Sequence, residues 1–198
     1  MQRVFKYVYT FCFFILFCAP LAARQSESIP NCEVLFTSQH KVAEELIRSI
    51  RHEKESIRVA VYCLMHRGIS KALIDAKKKG VSVEVVVDPF SVKSRAPLKK
   101  MAEAGIPIYV WNSSPIATTS KLGIPRSRKS LMHHKFCVFG GDKVWTGSFN
   151  FTFDAATNHR ENVVVIGNAH VAEKYLKEFE DLKTTGSISY ASYLKKGK

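Results

Sequence analysis

Short apolar runs alternate with longer amphipathic stretches from residue 31 to residue 183, and this alternation constrains the fold more than any other feature. Runs rich in Val and Ile at residues 57–64 and 81–87 are typical of buried strands. Between them, residues 69–79 show helical spacing that ends at Gly80. Strands that alternate with helices of this length predict an α/β fold, in which a mixed β-sheet is sandwiched between helices.

The same patterns place the remaining elements along the chain. Strands are predicted at residues 33–37, 108–111, 135–139, 144–146 and 162–166, and helices around residues 42–50, 97–104 and 171–182. Gly140-Gly141-Asp142 joins two of these strands and predicts a hairpin, so at least one strand pair is antiparallel. Residues 112–131 are predicted to form a loop, and the residues from Gly186 onward a polar, basic tail.

The first 23 residues have the pattern of a targeting segment. Arg3 and Lys6 precede residues 7–22, which carry no charge and end among small residues. This pattern predicts a secretory signal peptide cleaved near Ala22 or Ala23, and therefore export to the periplasm or the medium. An uncleaved membrane anchor formed by residues 7–22 is the alternative, since the run is only slightly shorter than the ~20 residues that span a bilayer. The predicted organisation is a targeting segment at 1–23, a linker at 24–31, one catalytic domain at 32–185 and a basic tail at 186–198.

The chain is strongly basic. Its 198 residues include 30 Lys and Arg against 17 Asp and Glu, a formal net charge of +13. Such an excess favours a polyanionic partner, either nucleic acid or an anionic membrane surface. With 46% hydrophobic and 24% charged residues, the composition excludes a disordered chain and a polytopic membrane protein. Cys63 and Cys137 lie in apolar strand-like runs and are predicted to be buried thiols.

Polar side chains capable of phosphate chemistry cluster between residues 133 and 150. Strand alternation directs His133 and Lys135 to one face and His134 to the other. If the two hairpin strands pair, Ser148 and Asn150 converge on the His133 face. The lysine would neutralise phosphate charge, the hydroxyl and amide would donate hydrogen bonds, and the imidazole would attack phosphorus or transfer protons.

Each of these residues also has a simpler structural interpretation. A His-His pair is often structural or linked to a metal, Lys135 resembles a solvated edge lysine, and Ser148 and Asn150 suit a turn or a helix cap. It is their joint spacing that favours a phosphate site. The sequence shows no set of His, Cys and Asp with metal-ligand spacing and no Gly-rich phosphate loop, so neither a metal nor another cofactor is expected.

The pattern His133-x-Lys135 followed by Gly-Ser148-x-Asn150 resembles the HKD motif of the phospholipase D superfamily. The resemblance covers roughly residues 32–183. It is closest to the single-motif branch, which includes bacterial Nuc-type endonucleases and the Zucchini/mitochondrial cardiolipin hydrolase group. This branch implies a homodimer, because one active site needs two motifs and each chain supplies one.

The resemblance also implies a role for each residue of the motif. His133 of one subunit would be the nucleophile, and the same residue of the second subunit would protonate the leaving oxygen. Lys135, Ser148 and Asn150 would bind the phosphate, and Glu161 would orient the catalytic imidazole. Gly140 stands where the motif has Asp, so Asp142, two positions later, is a candidate substitute. This departure is also the argument for a weakened or inactive site.

The stretch before the motif bears on the substrate. Lys121, Arg126, Arg128 and Lys129 lie in the predicted loop, which contains no acidic residue and is expected to border the cleft. A basic loop beside a phosphodiesterase site suits a nucleic-acid backbone, which favours a nonspecific endonuclease. It also suits anionic lipid head groups, which keeps a phospholipase D acting on phosphatidylcholine or cardiolipin as the alternative. A non-catalytic module that binds anionic surfaces is the third hypothesis.

Overall fold

The computed structural model describes residues 31–93, 95–112, 116–119, 125–128 and 130–196. The predicted targeting segment and almost all of the predicted linker lie outside these residues. The strands are β1 (Asn31–Phe36), β2 (Ser56–Val61), β3 (Ser82–Val87), β4 (Ile108–Trp111), β5 (Ile116–Thr119), β6 (Pro125–Arg128), β7 (Lys135–Phe139), β8 (Lys143–Gly147), β9 (Asn162–Gly167) and β10 (Ser187–Ser189). The helices are α1 (Val42–His52), α2 (Arg67–Lys78), α3 (Pro89–Val92), α4 (Arg95–Glu103), α5 (Phe153–Thr157), α6 (Ala169–Thr185) and α7 (Tyr190–Lys196).

Eight of the strands form one mixed sheet in the order β1-β9-β8-β7-β2-β3-β4-β10. Strands β2, β3 and β4 are parallel to one another, because helices α2 and α4 connect them, whereas the other neighbours are antiparallel. The β7–β8 hairpin pairs Phe136 with Thr146 and turns at Gly140, whose φ of 57° suits glycine. The predicted mixed sheet and its antiparallel hairpin are confirmed.

Helices cover both faces of this sheet. On one face, alternate strand residues such as Val59, Val85 and Cys137 pack in a core with Leu46 of α1 and Leu73 of α2. The opposite face packs against α6 through a smaller core whose members include Ala60, Val86, Phe136, Ala172 and Phe179. Burial of each such large side chain stabilises the fold by about 1.5–3 kcal/mol, so this period-two alternation determines which strand residues face which helix layer.

Two of the three described cysteines lie in the interior. Cys63 and Cys137 are buried free thiols, as predicted, and Cys32 is exposed on the edge strand β1. Burial raises the pKa of the Cys63 thiol to about 11, and it raises the pKa of Cys137 further. Both side chains are therefore neutral apolar fillers of the core at physiological pH.

Residues 187–196 of the segment predicted to be a polar, basic tail form a strand and a helix, which the sequence pattern did not predict. Ser187–Ser189 forms β10 by antiparallel pairing with β4, and α7 follows with Tyr190 buried. Gly186 permits this approach, because a Cβ at that position would overlap the Trp111 ring. A three-residue strand held by backbone hydrogen bonds leaves no periodic signal in the sequence.

Four short elements were also absent from the sequence-based prediction. Strands β5 and β6 form a separate antiparallel hairpin within the stretch predicted to be a loop. Helices α3 and α5 each span about one turn, which is too short for helical periodicity to be detected. No helix in the part of the chain that the structure describes is long and apolar enough to cross a bilayer.

Candidate active site

His133 and Lys135 lie together where β7 begins. The Nζ of Lys135 donates a hydrogen bond of 2.6 Å to the backbone oxygen of His133. Both residues contact the ring of Tyr62: the His133 ring centroid is 4.8 Å from it, and the Lys135 Nζ is 5.3 Å from it. His133 is exposed, while Lys135 is only 8% exposed. An accessible imidazole therefore stands beside a buried ammonium group, on the side that strand alternation predicts.

The environment of Lys135 suits an anionic ligand. Burial lowers the pKa of Lys135 below its ordinary value, because removal from water disfavours the ammonium form. The negative charge of Glu161 acts in the opposite direction and raises the pKa. A bound phosphate would add further negative charge next to the ammonium, so the site gains electrostatic stabilisation when an anion binds.

His134 belongs to the opposite face. Its Nε2 lies 3.1 Å from Oε1 of Glu178 on α6, and its ring meets Phe136 edge-on at 5.6 Å. Phe136 itself packs in the α6 core. The two adjacent histidines therefore have different environments, and only His133 lies beside Lys135.

Ser148 directly follows β8, and its hydrogen bonds join the end of β8 to the start of β9. Its Oγ donates to Oε2 of Glu161 and accepts a 3.0 Å hydrogen bond from the Asn162 backbone N–H. Its own N–H donates to the backbone oxygen of Asn162 at 3.0 Å. The preceding Gly147 makes this close approach possible, because a Cβ there would lie 2.2 Å from the Asn162 oxygen. Steric exclusion of a side chain therefore explains why glycine precedes Ser148 in this motif.

Glu161 is held differently from the prediction. Its N–H donates to Oγ1 of Thr37 at 2.9 Å, and its carboxylate contacts Ser148 and lies 3.7 Å from Nδ1 of His159. Within the described residues of one chain, no hydrogen bond joins Glu161 to the ring of His133. Glu161 immediately precedes β9, and β8 lies between β9 and β7, so the carboxylate reaches Ser148 first. Glu161 therefore acts on the site in two ways: it accepts a hydrogen bond from Ser148, and its negative charge stabilises the Lys135 ammonium group.

Asn150 presents an amide that the rest of the described chain does not engage. Its Oδ1 is buried and has no hydrogen-bond partner among the described residues. Its backbone oxygen accepts from Thr152 N at 2.8 Å, which fixes the loop. A buried amide oxygen without a partner is costly, so a ligand or a second subunit would find an unused polar group here.

Asp142 brings its carboxylate to the place where the motif has Asp, because its Oδ1 would lie 3.8 Å from a Cβ at Gly140. It lies in the β7–β8 turn, whereas His133 and Ser148 lie at the opposite ends of these strands, about 15 Å away at ~3.3 Å per residue. Its backbone oxygen accepts from Asn168 N at 2.7 Å, which is a structural contact.

Glu53 supplies a carboxylate at the end of β7 where the motif has Asp. Its Oε1 accepts from the backbone N–H groups of Lys54 and Glu55 at 2.9 and 2.8 Å. A Cβ at Gly140 would lie 3.9 Å from both Glu53 carboxylate oxygens. Aspartate at position 140 would therefore bring a second negative charge to an occupied place, in a backbone conformation that favours glycine.

The sequence analysis missed Asp88, which supports the catalytic segment. Its carboxylate, 3% exposed, accepts from Phe90 N at 2.9 Å through Oδ1 and from Met132 N at 3.1 Å through Oδ2. One side chain thus caps α3 and fixes the residue directly before His133. The available signal was Asp88-Pro89 at the end of a strand, which is a helix N-cap followed by proline at the first helical position.

A groove of about 890 Å³ opens beside Tyr62. Aromatic rings of Tyr62, Phe90, Tyr190 and Tyr193 line it, and two lysines, Lys93 and Lys99, also border it. Tyr62 and Phe90 are stacked with centroids 5.3 Å apart and an interplanar angle of 12°. Because Tyr62 lines this groove and also contacts His133, the groove borders the candidate site.

The predicted basic loop is described only in part. Lys121 and Lys129 lie outside the described residues, and Arg126 and Arg128 belong to β6, opposite Thr118 and Ile116 of β5. Among the described residues, no group of three or more His, Cys, Asp or Glu side chains is arranged to hold a metal ion.

Comparisons with known proteins agree on one family. The family described as "Cardiolipin synthase, PLD-like domain" matches residues 46–183. Phospholipase D of Rickettsia prowazekii is 29% identical over 158 residues, which are 79% of this chain and 70% of that protein. Mitochondrial cardiolipin hydrolase of Xenopus tropicalis is 24% identical over 171 residues, covering 85% of this chain and 74% of that protein.

Solved structures show the same similarity. The phospholipase D family member Nuc from Salmonella typhimurium is 30% identical, with a TM-score of 0.67 over 81% of this chain and 98% of that chain. NucT from Helicobacter pylori has a TM-score of 0.67 at 17% identity, which shows the likeness of the fold.

Proposed function

The chain belongs to the phospholipase D-like family and is a phosphodiesterase of that superfamily, and we propose that it cleaves phosphodiesters through a covalent phosphohistidine on His133. The observation that carries the proposal is the exposed His133 imidazole next to the buried Lys135, whose Nζ lies 2.6 Å from the His133 backbone oxygen. A nucleophile and a phosphate-binding cation are thus positioned by the same short segment.

In the first step, the neutral His133 imidazole attacks phosphorus. The phosphorus–nitrogen bond forms as the bond to the leaving oxygen breaks, and an imidazolium donates a proton to that oxygen. In the second step, the imidazole that donated the proton takes a proton from water. The water oxygen attacks phosphorus, and the phosphorus–nitrogen bond breaks to release His133. Lys135 and the amide N–H groups of Asn150 stabilise the charge on the phosphate oxygens, and the Ser148 hydroxyl joins them by turning its single proton from Glu161 to the phosphate.

This sequence of steps requires two imidazoles in opposite protonation states. Among the described residues, the ring of His133 contacts Tyr62, whereas His134 faces Glu178 and His159 contacts Glu161. We therefore propose a homodimer in which the second imidazole is His133 of the other copy. The positive charge of two Lys135 side chains then serves the reaction without a metal ion.

Nucleic acid is the substrate that the charge distribution favours, which makes the protein a nonspecific endonuclease in this proposal. The support is the net charge of +13 and the aromatic, lysine-bordered groove beside Tyr62. Phospholipid is the second candidate, because relatives are named phospholipase D and mitochondrial cardiolipin hydrolase and Leu131, 62% exposed, offers an apolar contact beside His133. A non-catalytic module for anionic surfaces is the third candidate, because Gly140 replaces the motif Asp.

One assay panel tests these candidates. Wild type, His133→Ala and His134→Ala are incubated with supercoiled DNA, single-stranded RNA and labelled phospholipid vesicles, each with and without excess EDTA. The proposal expects nucleic-acid cleavage that survives EDTA, falls steeply with salt, disappears in His133→Ala and persists in His134→Ala. Head-group release alone would favour the phospholipase, and binding without turnover would favour the binding module.

The predicted signal peptide makes export a further part of this proposal, with anchoring by residues 7–22 as the alternative. N-terminal sequencing of the protein from fractionated cells checks it. A chain that begins near residue 24 in the exported fraction supports cleavage, and an intact N terminus in the membrane fraction supports the anchor.

A further inference from the structure

We propose that the groove beside Tyr62 is a subsite for one unpaired nucleobase next to the scissile phosphate, with the ring of Phe90 as its stacking surface. This inference rests on the proposed nuclease function. It adds that the enzyme prefers single-stranded nucleic acid, because a base within a duplex is already stacked and paired and cannot enter the groove.

The stack is aligned with the nucleophile. Phe90 is 38% exposed and lies nearly parallel to Tyr62, and the ring of Tyr62 also contacts the ring of His133, with centroids 4.8 Å apart. The rings therefore lead from the groove directly to the reacting imidazole. A base bound on Phe90 belongs to a nucleotide whose phosphate reaches His133 without crossing the body of the protein.

Phe90 is held rigidly for a residue that is partly exposed. The Asp88 carboxylate accepts from its backbone N–H at 2.9 Å. The next residue, Ser91, is fully buried, and its Oγ donates to the backbone oxygen of Tyr62 at 2.9 Å and accepts from Leu64 N at 3.0 Å. Helix α3 is thereby attached to the segment that follows β2 and carries Tyr62. A preorganised ring binds a flat ligand with little loss of conformational entropy.

Positive charge accompanies the rings. The Nζ of Lys93 lies 4.9 Å from the centroid of the Phe90 ring, and Lys99 also borders the groove. Lysines next to exposed aromatic rings are the usual combination for single strands, since the bases stack while the phosphates meet cations. The volume of about 890 Å³ falls in the ~300–1,000 Å³ range of small-ligand sites, which accommodates a nucleotide.

A nucleobase suits this groove better than an acyl chain does. Four of the lining side chains are aromatic, and the parallel Tyr62–Phe90 pair offers a flat face that an alkyl chain would not exploit. The lysines would also be partly desolvated by a lipid tail without gaining a counter-charge. The acyl chain is therefore the competing occupant that the experiment must distinguish.

The test compares two single-stranded DNA oligomers that each contain one cleavable phosphodiester among methylphosphonate linkages. In one oligomer the flanking nucleotides carry bases, and in the other they are abasic. Wild type, Phe90→Leu, Phe90→Trp and the control Phe36→Leu are compared by the ratio of kcat/KM for the two oligomers. Phe36 is a matched control, because it is 42% exposed and lies on β1, about 24 Å from β3 at ~4.8 Å per strand spacing.

The expected ratio for wild type is on the order of tenfold in favour of the oligomer with bases. Phe90→Leu should bring the ratio close to unity, while Phe90→Trp and Phe36→Leu should retain it. A wild type without base preference, or a Phe90→Leu variant that melts like wild type and keeps the full ratio, overturns the subsite. Reduced vesicle hydrolysis by Phe90→Leu with an unchanged oligomer ratio also overturns it, in favour of an acyl chain. If wild type cleaves neither oligomer, nor DNA or RNA, the nuclease proposal itself fails.

Discussion

The Nζ of Lys135 donates a 2.6 Å hydrogen bond to the backbone oxygen of His133, two residues earlier in the chain. This contact holds the proposed nucleophile and the proposed phosphate-binding cation in one short segment at the start of β7. Because Lys135 is buried, the ammonium is held at a cost to stability that an incoming anion offsets. The site is thus prepared for a phosphate before the phosphate arrives.

Lys135→Met should make the protein more stable at neutral pH and inactive. Burial lowers the pKa of Lys135 in the folded state below the unfolded value of 10.5, so the charged side chain destabilises the fold at every pH below the folded pKa. This cost is lost as the pH rises from the lowered pKa of Lys135 in the folded state to the unfolded value of 10.5. Urea unfolding at pH 7 and pH 10.5 measures the difference between variant and wild type. The advantage of the variant should shrink at the higher pH, and an advantage that stays constant or grows would contradict the assignment.

Asp88→Asn should reduce activity while the protein still folds. The amide has one acceptor oxygen, so it satisfies only one of the two N–H groups, on Phe90 and Met132, that the carboxylate holds. Loss of a hydrogen bond to a charged group costs about 1.5–3 kcal/mol, and displacement of His133 should lower kcat about tenfold or more. Calorimetry and steady-state kinetics measure the two effects.

The control for this prediction is Asp154→Asn. Asp154 is exposed, and its carboxylate accepts from the Asn158 side chain on the surface. Its replacement should leave both stability and kcat near the wild-type values. Equal losses in the two variants would show that Asp88 has no special part in positioning the catalytic segment.

Gly140→Asp restores the family motif and should nevertheless destabilise the protein. A side chain in the left-handed region costs about 1 kcal/mol or more, and a new carboxylate there would face Glu53. Gly141→Asp is the matched control, because a Cβ at Gly141 meets nothing within 4 Å. Thermal melting should show a loss for Gly140→Asp only. A Gly140→Asp variant that is both more stable and more active would mean that the site of this chain is weakened by the missing Asp.

Subunit mixing tests whether one active site needs two copies of His133. Wild-type and His133→Ala chains are co-expressed with different tags, and the pooled dimers are assayed at a known ratio of chains. If only dimers with two intact copies turn over, an equal mixture has about one quarter of the activity of a wild-type sample that contains the same total number of chains. A retained half would indicate independent chains, and a monomer that is fully active would remove the need for a dimer.

The sequence predicted the parts of the fold that leave a periodic signal. Strands such as β2 and β3 bury alternate residues, and α1 buries one face, so their spacing is imposed by the core. The C-terminal strand β10 was missed, because it depends on the unpaired edge of β4 and on the absence of a side chain at Gly186. Tertiary contacts of that kind have no local signature.

The candidate site shows the same division. Strand alternation was sufficient to place His133 and Lys135 together on the side opposite to His134. It did not predict the contact of Glu161 with Ser148, because that contact depends on β9 lying next to β8. Nor did it predict the contacts of Asp88 with Met132 and of Tyr62 with His133, because both partners lie more than forty residues earlier in the chain, directly after β3 and β2.

The covalent intermediate is the most direct test of the central claim. Wild-type enzyme is mixed with substrate and quenched in alkali within one turnover, where phosphohistidine survives, and its peptides are examined by mass spectrometry. The account predicts an adduct on His133 in which phosphorus retains the part of the substrate on its second ester bond, absent from His133→Ala and unchanged in His134→Ala. An adduct on another residue, or full turnover by His133→Ala, would contradict it.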